Sequence, residues 1–394
     1  MLVFVLILLL HGFLLHCLMG LPLILCLVVL RSVRAFRHGA DWMLFLFCRV
    51  ALAVYETCFG VRFVFSGDCD VRHAEESKRI LIVSNHPSRT DWMWLFSFVT
   101  RFGSLQHLKI ALKASLRQMP VFGWAMQLSC FLFLHRDWQE DEPHIRALLS
   151  YFADSRYPYQ LLFFPEGTDL SPSNLQKSRE FASQTGKTPL RHVLLPRTKG
   201  FSFVAGVLRE RRALDGVWDL TVAYNPPSTR PSEADLVADR LPREVHVHAR
   251  HFAVDALPSG EDEDGLARWC EQRFAEKEER IRRFVSSAQT QTQTQTQTQT
   301  QTPTTTQCPS LQSAGGSASE QVETLCCSGG GDSVSRTNAP VLLLAALFWL
   351  LAGYMFVVFS AFRWCAVARS FFVILCIDAP CRVVLTCVCV CAVH

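Results

Sequence analysis

Two kinds of apolar pattern alternate along this chain. At the ends, apolar residues form long unbroken blocks: neither 1–30 nor 340–362 contains a Lys, Arg, Asp or Glu. Between them, residues 61–285 carry short apolar runs separated by more polar segments. The runs are RILIVS (79–84), LSCFLFLH (128–135), QLLFFP (160–165), HVLLP (192–196), DLTVAY (219–224) and EVHVHARHF (244–252). Short apolar runs rich in β-branched and aromatic residues read as strands. TDWMWLFSFVTRF, EPHIRALLSYFADS, SNLQKSREFASQTG and EDGLARWCEQRFAEKEERIRRF read as helices. This alternation predicts an α/β domain with a mostly parallel central sheet flanked by helices. In such sheets, ligand sites gather where strands end and loops begin.

The end blocks each exceed the roughly 20 residues needed to cross a bilayer core, so the chain reads as an integral membrane protein. The first span is expected at about 3–30, and the basic Arg31, Arg34 and Arg37 after it point that end to the cytosol. A cleaved signal peptide fits less well, because the block is too long, lacks a basic start and has no small-residue cleavage site. Residues 41–60 are apolar but contain Arg49 and Glu56, and are expected to form an interfacial or re-entrant helix. Together, 1–60 form the expected N-terminal membrane anchor. The C-terminal membrane region is expected at 340–394, with a span at 340–362. A second candidate span, 371–394, is interrupted by Asp378, Pro380 and Arg382. Residues 286–339, which include seven Gln-Thr pairs from Gln289 to Thr302, are expected to be a disordered linker.

Composition sharpens this picture. The 394 residues are 49% hydrophobic and 19% charged, which is oily for a soluble protein. A net charge of +4 is too slight to argue for nucleic acid, and no nucleic-acid-binding module appears. Six of the 16 cysteines lie between Cys365 and Cys391 in a spacing that matches neither a zinc site nor a secreted disulfide framework. They are expected as free thiols, with S-palmitoylation an option. His246 and His248 share a strand face, but two histidines alone do not argue for a metal.

The candidate chemistry sits at strand ends. In NHPSRTDWMW (85–94), His86 precedes Asp91 by five residues. A carboxylate accepting one imidazole N–H fixes the tautomer and leaves the other nitrogen free to take a proton. That spacing works only if His86 occupies the turn before a helix, a break that Pro87 favours, with Ser88 or Thr90 as the cap. The competing reading is a histidine that merely satisfies a backbone group. In FFPEGTD (163–169) a glycine flanked by a carboxylate and a hydroxyl suits a polyol ligand, or else forms an ordinary turn with a helix cap. Lys113, Arg136, Arg197 and Lys199 are either phosphate ligands or solvated surface charges.

Taken together these segments resemble the glycerolipid acyltransferase superfamily. NHPSRTDWMW resembles its N-H-x4-D block, FLHRDW (133–138) the second block, LLFFPEGTDL (161–170) the third and VLLPRTKGF (193–201) the fourth. KASLRQMPVFGWAMQ (113–127) and VWDLTVAYN (217–225) extend the likeness, which covers about 78–225. The pattern is most similar to the branch of eukaryotic 1-acylglycerol-3-phosphate and lysocardiolipin acyltransferases. It departs in Pro87-Ser88-Arg89-Thr90, less basic than usual, and in Leu195 and Lys199, where the branch often has His and Thr.

The resemblance implies transfer of a fatty acyl group from acyl-CoA to a lysophospholipid hydroxyl, with 1-acylglycerol-3-phosphate the first acceptor to consider. Lysocardiolipin, lysophosphatidylinositol or another lysophospholipid is the alternative, and a catalytically inactive adaptor a remoter one. It implies His86 as general base and Asp91 as its orienting partner. Asn85, Arg136, Glu166, Gly167, Thr168, Pro196, Arg197 and Lys199 are implied as substrate-binding residues. No metal or bound cofactor is implied, only acyl-CoA as co-substrate, with the bilayer, of the endoplasmic reticulum, as the working surface. A serine hydrolase is disfavoured because G-x-S-x-G is absent.

Overall fold

The computed structural model describes residues 9–15, 23–24, 27–29, 31–69, 78–119, 122–238 and 240–300. Its centre is a sheet of seven strands: β1 (Arg62–Gly67), β2 (Arg79–Ser84), β3 (Leu108–Lys113), β4 (Leu132–Leu134), β5 (Tyr159–Phe163), β6 (Gly216–Asn225) and β7 (Glu244–Ala253). The spatial order is β1-β7-β6-β2-β5-β3-β4. Every neighbouring pair is parallel except β6 with β7. The helices are α1 (Val33–Ala53), α2 (Asp91–Phe102), α3 (Phe122–Leu128), α4 (Trp138–Asp154), α5 (Pro172–Thr185), α6 (Thr198–Glu210), α7 (Glu233–Ala238) and α8 (Glu263–Thr300). The expected α/β architecture with a mostly parallel sheet is therefore present.

The period of two along the strands divides the core into two layers. In β2, Ile80 and Ile82 pack with Cys48 and Ala51 of α1 and with Trp94 and Phe98 of α2. Leu81 and Val83 face the opposite way, toward Leu149 of α4, Phe201 and Val204 of α6, and Phe274 of α8. Covered on both faces, β2 reads as a continuous apolar run, as parallel strands do. Parallel pairing of β2 with both β5 and β6 brings three strand ends side by side.

Among the described residues, no helix is long and apolar enough to cross a membrane. Most of the expected 3–30 span, and all of 340–362, 371–394 and the cysteine-rich tail, lie outside the described residues. The 41–60 segment, expected at an interface, packs one side into the domain. It continues α1 through a π-helical turn, Val54–Cys58, and places Leu44, Cys48, Ala51 and Tyr55 in the core. Its first carboxylate, Asp41, is buried against Lys109 and Tyr157, so its polar groups are satisfied by protein. HVLLP, expected as a strand, forms none. Its amide groups go to side chains: His192 and Val193 donate to Glu278, Leu194 to Glu166 and Leu195 to Ser178. Helix α8 runs on to Thr300, past the boundary expected at 285; residues 301–339 of the expected linker lie outside the described residues.

Candidate active site

The strand ends meet at His86. Residues 85–90 form the turn between β2 and α2, and Asp91 is the first residue of α2. The break at Pro87 lets His86 reach back to the helix start, and its Nδ1 lies 2.9 Å from Asp91 Oδ2. Asp91 is fully buried while the His86 side chain keeps 18% exposure, so the far edge of the ring is reachable. The imidazole stacks on Phe164 at 4.4 Å, which limits its rotation.

Asp91 is held by more than His86. It accepts from the Ser88 amide, from the Ser88 hydroxyl at 2.6 Å, and from the Tyr224 hydroxyl at the end of β6. Four donor groups thus converge on one carboxylate and keep it an acceptor aimed at His86. Neither expected cap serves the helix through its side chain. Ser88 is spent on Asp91, while Thr90 Oγ1 donates to Pro231 O and accepts from Trp94 Nε1. Burial alone would lower the His86 pKa, but the bond to Asp91 and the charges of Asp91, Glu166 and Asp169 outweigh it, leaving the value raised.

Two residues expected to bind substrate are occupied otherwise. Asn85 is buried and exchanges both side-chain hydrogen bonds with the Val222 backbone, extending the contact of β2 with β6. Glu166 is buried with one oxygen on the His86 amide (3.0 Å) and the other on the Leu194 amide (3.2 Å). It braces the His86 turn against the Leu194 segment. Burial raises its pKa to about 7, opposed by those backbone hydrogen bonds and by His86.

The remaining expected residues form a polar rim. Gly167 has φ of +69°, which favours glycine, and a Cβ there would crowd the Arg197 side chain at 3.3 Å. Arg136 Nη2 donates to Gly167 O at 2.8 Å. Arg136 and Arg197 therefore flank one glycine, and both are exposed. Thr168 Oγ1 accepts from Asn174 and donates to Asp169, whose carboxylate lies 3.7 Å from Arg89. Pro196 is buried behind Arg197, whose amide donates to Pro165 O. Lys199 instead sits over Trp138, 4.4 Å from the ring centre, and Lys113 ends β3 exposed. His246 bonds Glu244 and His248 bonds Ser66. Among the described residues, no group of three or more His, Cys, Asp or Glu is arranged to hold a metal ion.

Sequence reasoning missed Ser88 as a partner of Asp91, and Tyr224 and Phe164 altogether. Tyr224 is the last residue but one of the VWDLTVAYN segment, yet a role 133 residues from Asp91 needs the sheet order to become visible.

This arrangement presents a histidine with one nitrogen fixed by a buried carboxylate and part of its ring exposed, a geometry suited to taking a proton. Comparison with known proteins agrees. Residues 67–224 match the family model described as Acyltransferase, and 236–308 the one described as Acyltransferase C-terminus. Lysocardiolipin acyltransferase 1 of Mus musculus is 42% identical over 248 residues, covering 63% of each chain. Lysophosphatidylinositol acyltransferase 10 of Caenorhabditis elegans is 34% identical over 272 residues, covering 68% of each. A probable 1-acyl-sn-glycerol-3-phosphate acyltransferase 5 of Arabidopsis thaliana is 35% identical over 238 residues, covering 59% of this chain and 60% of that one. The matches to the lysocardiolipin acyltransferases of mouse, chicken and zebrafish span 63%, 64% and 65% of those proteins' lengths. With the His86–Asp91 turn, the Glu166-Gly167-Thr168 loop and the Arg197 segment all inside or beside one strand-end site, the chain belongs to the acyltransferase family.

Proposed function

We propose that this protein transfers a fatty acyl group from acyl-CoA to a free hydroxyl of an anionic lysophospholipid, at the surface of a bilayer. The observation that carries the proposal is the His86–Asp91 pair at 2.9 Å, with four donor groups on the carboxylate. His86 takes the proton of the acceptor hydroxyl, whose oxygen attacks the thioester carbonyl directly. The thiolate of CoA leaves, and the imidazolium, stabilised by Asp91, returns a proton to it. The thioester is already activated, so no serine or cysteine nucleophile enters the scheme. Arg136 and Arg197, on either side of Gly167, receive the phosphate next to the acceptor hydroxyl.

The relatives are named for lysocardiolipin, lysophosphatidylinositol and 1-acyl-glycerol 3-phosphate. These acceptors share a phosphate on a glycerol carrying a free hydroxyl. The higher identity to the lysocardiolipin enzymes favours an acceptor of that kind over lysophosphatidate, reversing the order that the sequence blocks imply. A bilayer location is supported by exposed apolar side chains at Leu9, Leu10, Phe13, Trp42 and Trp124.

The test is an acceptor panel with labelled oleoyl-CoA: monolysocardiolipin, lysophosphatidylinositol, lysophosphatidate and monoacylglycerol, which has the hydroxyl without the phosphate. Wild type is expected to acylate at least one phosphate-bearing acceptor and to discriminate strongly against monoacylglycerol. Arg136→Ala is expected to narrow that preference by about tenfold or more, since hydrogen bonds to charged groups contribute about 1.5–3 kcal/mol. Equal loss on both acceptor types would remove Arg136 from the phosphate site. No transfer to any phosphate-bearing acceptor would overturn the proposal.

A further inference from the structure

The rim described above lies on the β5 side of His86. The other side, beyond β6, holds a second basic feature that the mechanism does not use. Residues 226–243 connect the end of β6 to the start of β7. They border a shallow, open cavity of about 360 Å³ lined by Pro226, Thr229, Arg230, Asp235, Arg240, Leu241 and Arg243. Three of its seven lining residues are arginines and one is acidic.

That acid is already engaged. Asp235 accepts from the Ser232 amide and hydroxyl and from Arg240 Nε at 2.7 Å. These partners hold its carboxyl down at about 2, so it neutralises Arg240 throughout the working range. The neighbouring Glu244 is taken up by Arg62, Asn225 and His246. Arg230 uses only Nη1 on this loop, bonding Pro227 O and Thr229 O. Among the described side chains, neither Arg230 nor Arg243 has a carboxylate partner, and both are exposed. Two arginines therefore line the cavity without a carboxylate partner among the described side chains.

The loop is also tied to the reacting centre. Thr90, which precedes Asp91, donates to Pro231 O at 3.2 Å. Burial and the Asp91 carboxylate push the Tyr224 phenol's pKa far up, and the charge of Arg230 pulls the other way, which puts that guanidinium within electrostatic reach of the group holding Asp91. The cavity thus belongs to the loop that is bonded to Thr90, on the β6 side of the dyad, whereas Arg136 and Arg197 lie with Gly167 at the end of β5.

We propose that the cavity between β6 and β7 is a second phosphate subsite in which Arg230 and Arg243 grip phosphate oxyanions of one of the two substrates. Planar guanidinium forks suit phosphate oxygens, and two arginines lining one cavity suit a group with more than one negative charge. Two sources offer that chemistry under the function proposed above, on which this inference rests: the phosphates of CoA, or the second phosphate of a cardiolipin-type acceptor.

The full chain in nanodiscs is compared with Arg230→Gln, Arg243→Gln and the double variant, with thermal stability as the folding control and Arg230→Lys with Arg243→Lys as the charge-preserving control. Binding is read first, using free CoA on one arm and nanodiscs with or without monolysocardiolipin on the other. The double variant is expected to weaken one of these about tenfold or more, and the Lys pair to recover part of it. Kinetics then name the source. If the donor occupies the cavity, KM rises for oleoyl-CoA but not for oleoyl-N-acetylcysteamine, which has no phosphate. If the lipid does, KM rises for monolysocardiolipin but not for lysophosphatidylglycerol, with one phosphate. Unchanged affinity for both binding probes overturns the subsite. A wild type that binds but never transfers overturns the proposed function instead, leaving the subsite to the binding result.

Discussion

The Asp91 carboxylate shows how much one residue's behaviour depends on partners scattered through the chain. His86 and Ser88 are local, but Tyr224 arrives from β6. Removing the tyrosine hydroxyl takes one donor from Asp91 and leaves more negative charge on the carboxylate beside the imidazole. That favours the imidazolium, so the His86 pKa, already raised, rises further. Because the base must be neutral, kcat/KM falls as pH drops through that pKa. For wild type, the acid limb of the profile is expected above the ordinary histidine value of about 6.5. Tyr224→Phe is expected to move that limb to higher pH, with most activity recovered at alkaline pH, whereas Asp91→Asn moves it lower and reduces the plateau. A Tyr224→Phe profile lowered equally at every pH would mark the tyrosine as structural. At this scale the sequence shows the dyad, because five residues and a proline define it locally. It does not show that Asn85 and Glu166 spend their polar groups on backbone, since those partners, Val222 and Leu194, are remote.

Among the elements, the sequence reads well wherever burial alone sets the pattern, as in β2, β5 and β6. It fails where a buried charge interrupts it. Strand β3 contains Lys109, wholly buried against Asp41 of α1, so LKIALK does not stand out as an apolar run. HVLLP fails the other way: it is apolar enough for a strand, but Glu278 and Glu166 satisfy its amides in place of a neighbouring strand. Helix α6 is absent from the sequence reading although Phe201, Val204, Ala205 and Leu208 follow the helical period and are all buried. A second buried ion pair fixes α8. Lys277 bonds Asp219 of β6 and the Leu220 carbonyl, and both charged side chains are fully buried. Burial lowers the Lys277 pKa, and the Asp219 charge opposes that shift and favours the ammonium. Lys277→Ala is expected to destabilise the domain by about 3–5 kcal/mol, because it strands a buried carboxylate. The double change Asp219→Leu with Lys277→Met is expected to cost much less. Chemical denaturation of the three proteins checks this; a Lys277→Ala variant as stable as wild type would show that the pair carries no such energy.

Across the whole molecule, one sheet edge collects the ends of β2, β5 and β6, and with them His86, the Glu166–Gly167 turn and Tyr224. The motifs were legible because each is a short segment at a strand end. Their adjacency was not, because it follows from the strand order β1-β7-β6-β2-β5-β3-β4. The central claim is that His86 removes the acceptor proton during direct acyl transfer. It is tested most directly by measuring acceptor-dependent release of CoA from oleoyl-CoA by purified wild type and His86→Ala. A general base typically contributes about 10²- to 10⁴-fold, so the variant is expected to lose kcat by that factor with acceptor KM within a few-fold of wild type. A His86→Ala protein that releases CoA at near-wild-type kcat, still dependent on the lysolipid, would contradict the account.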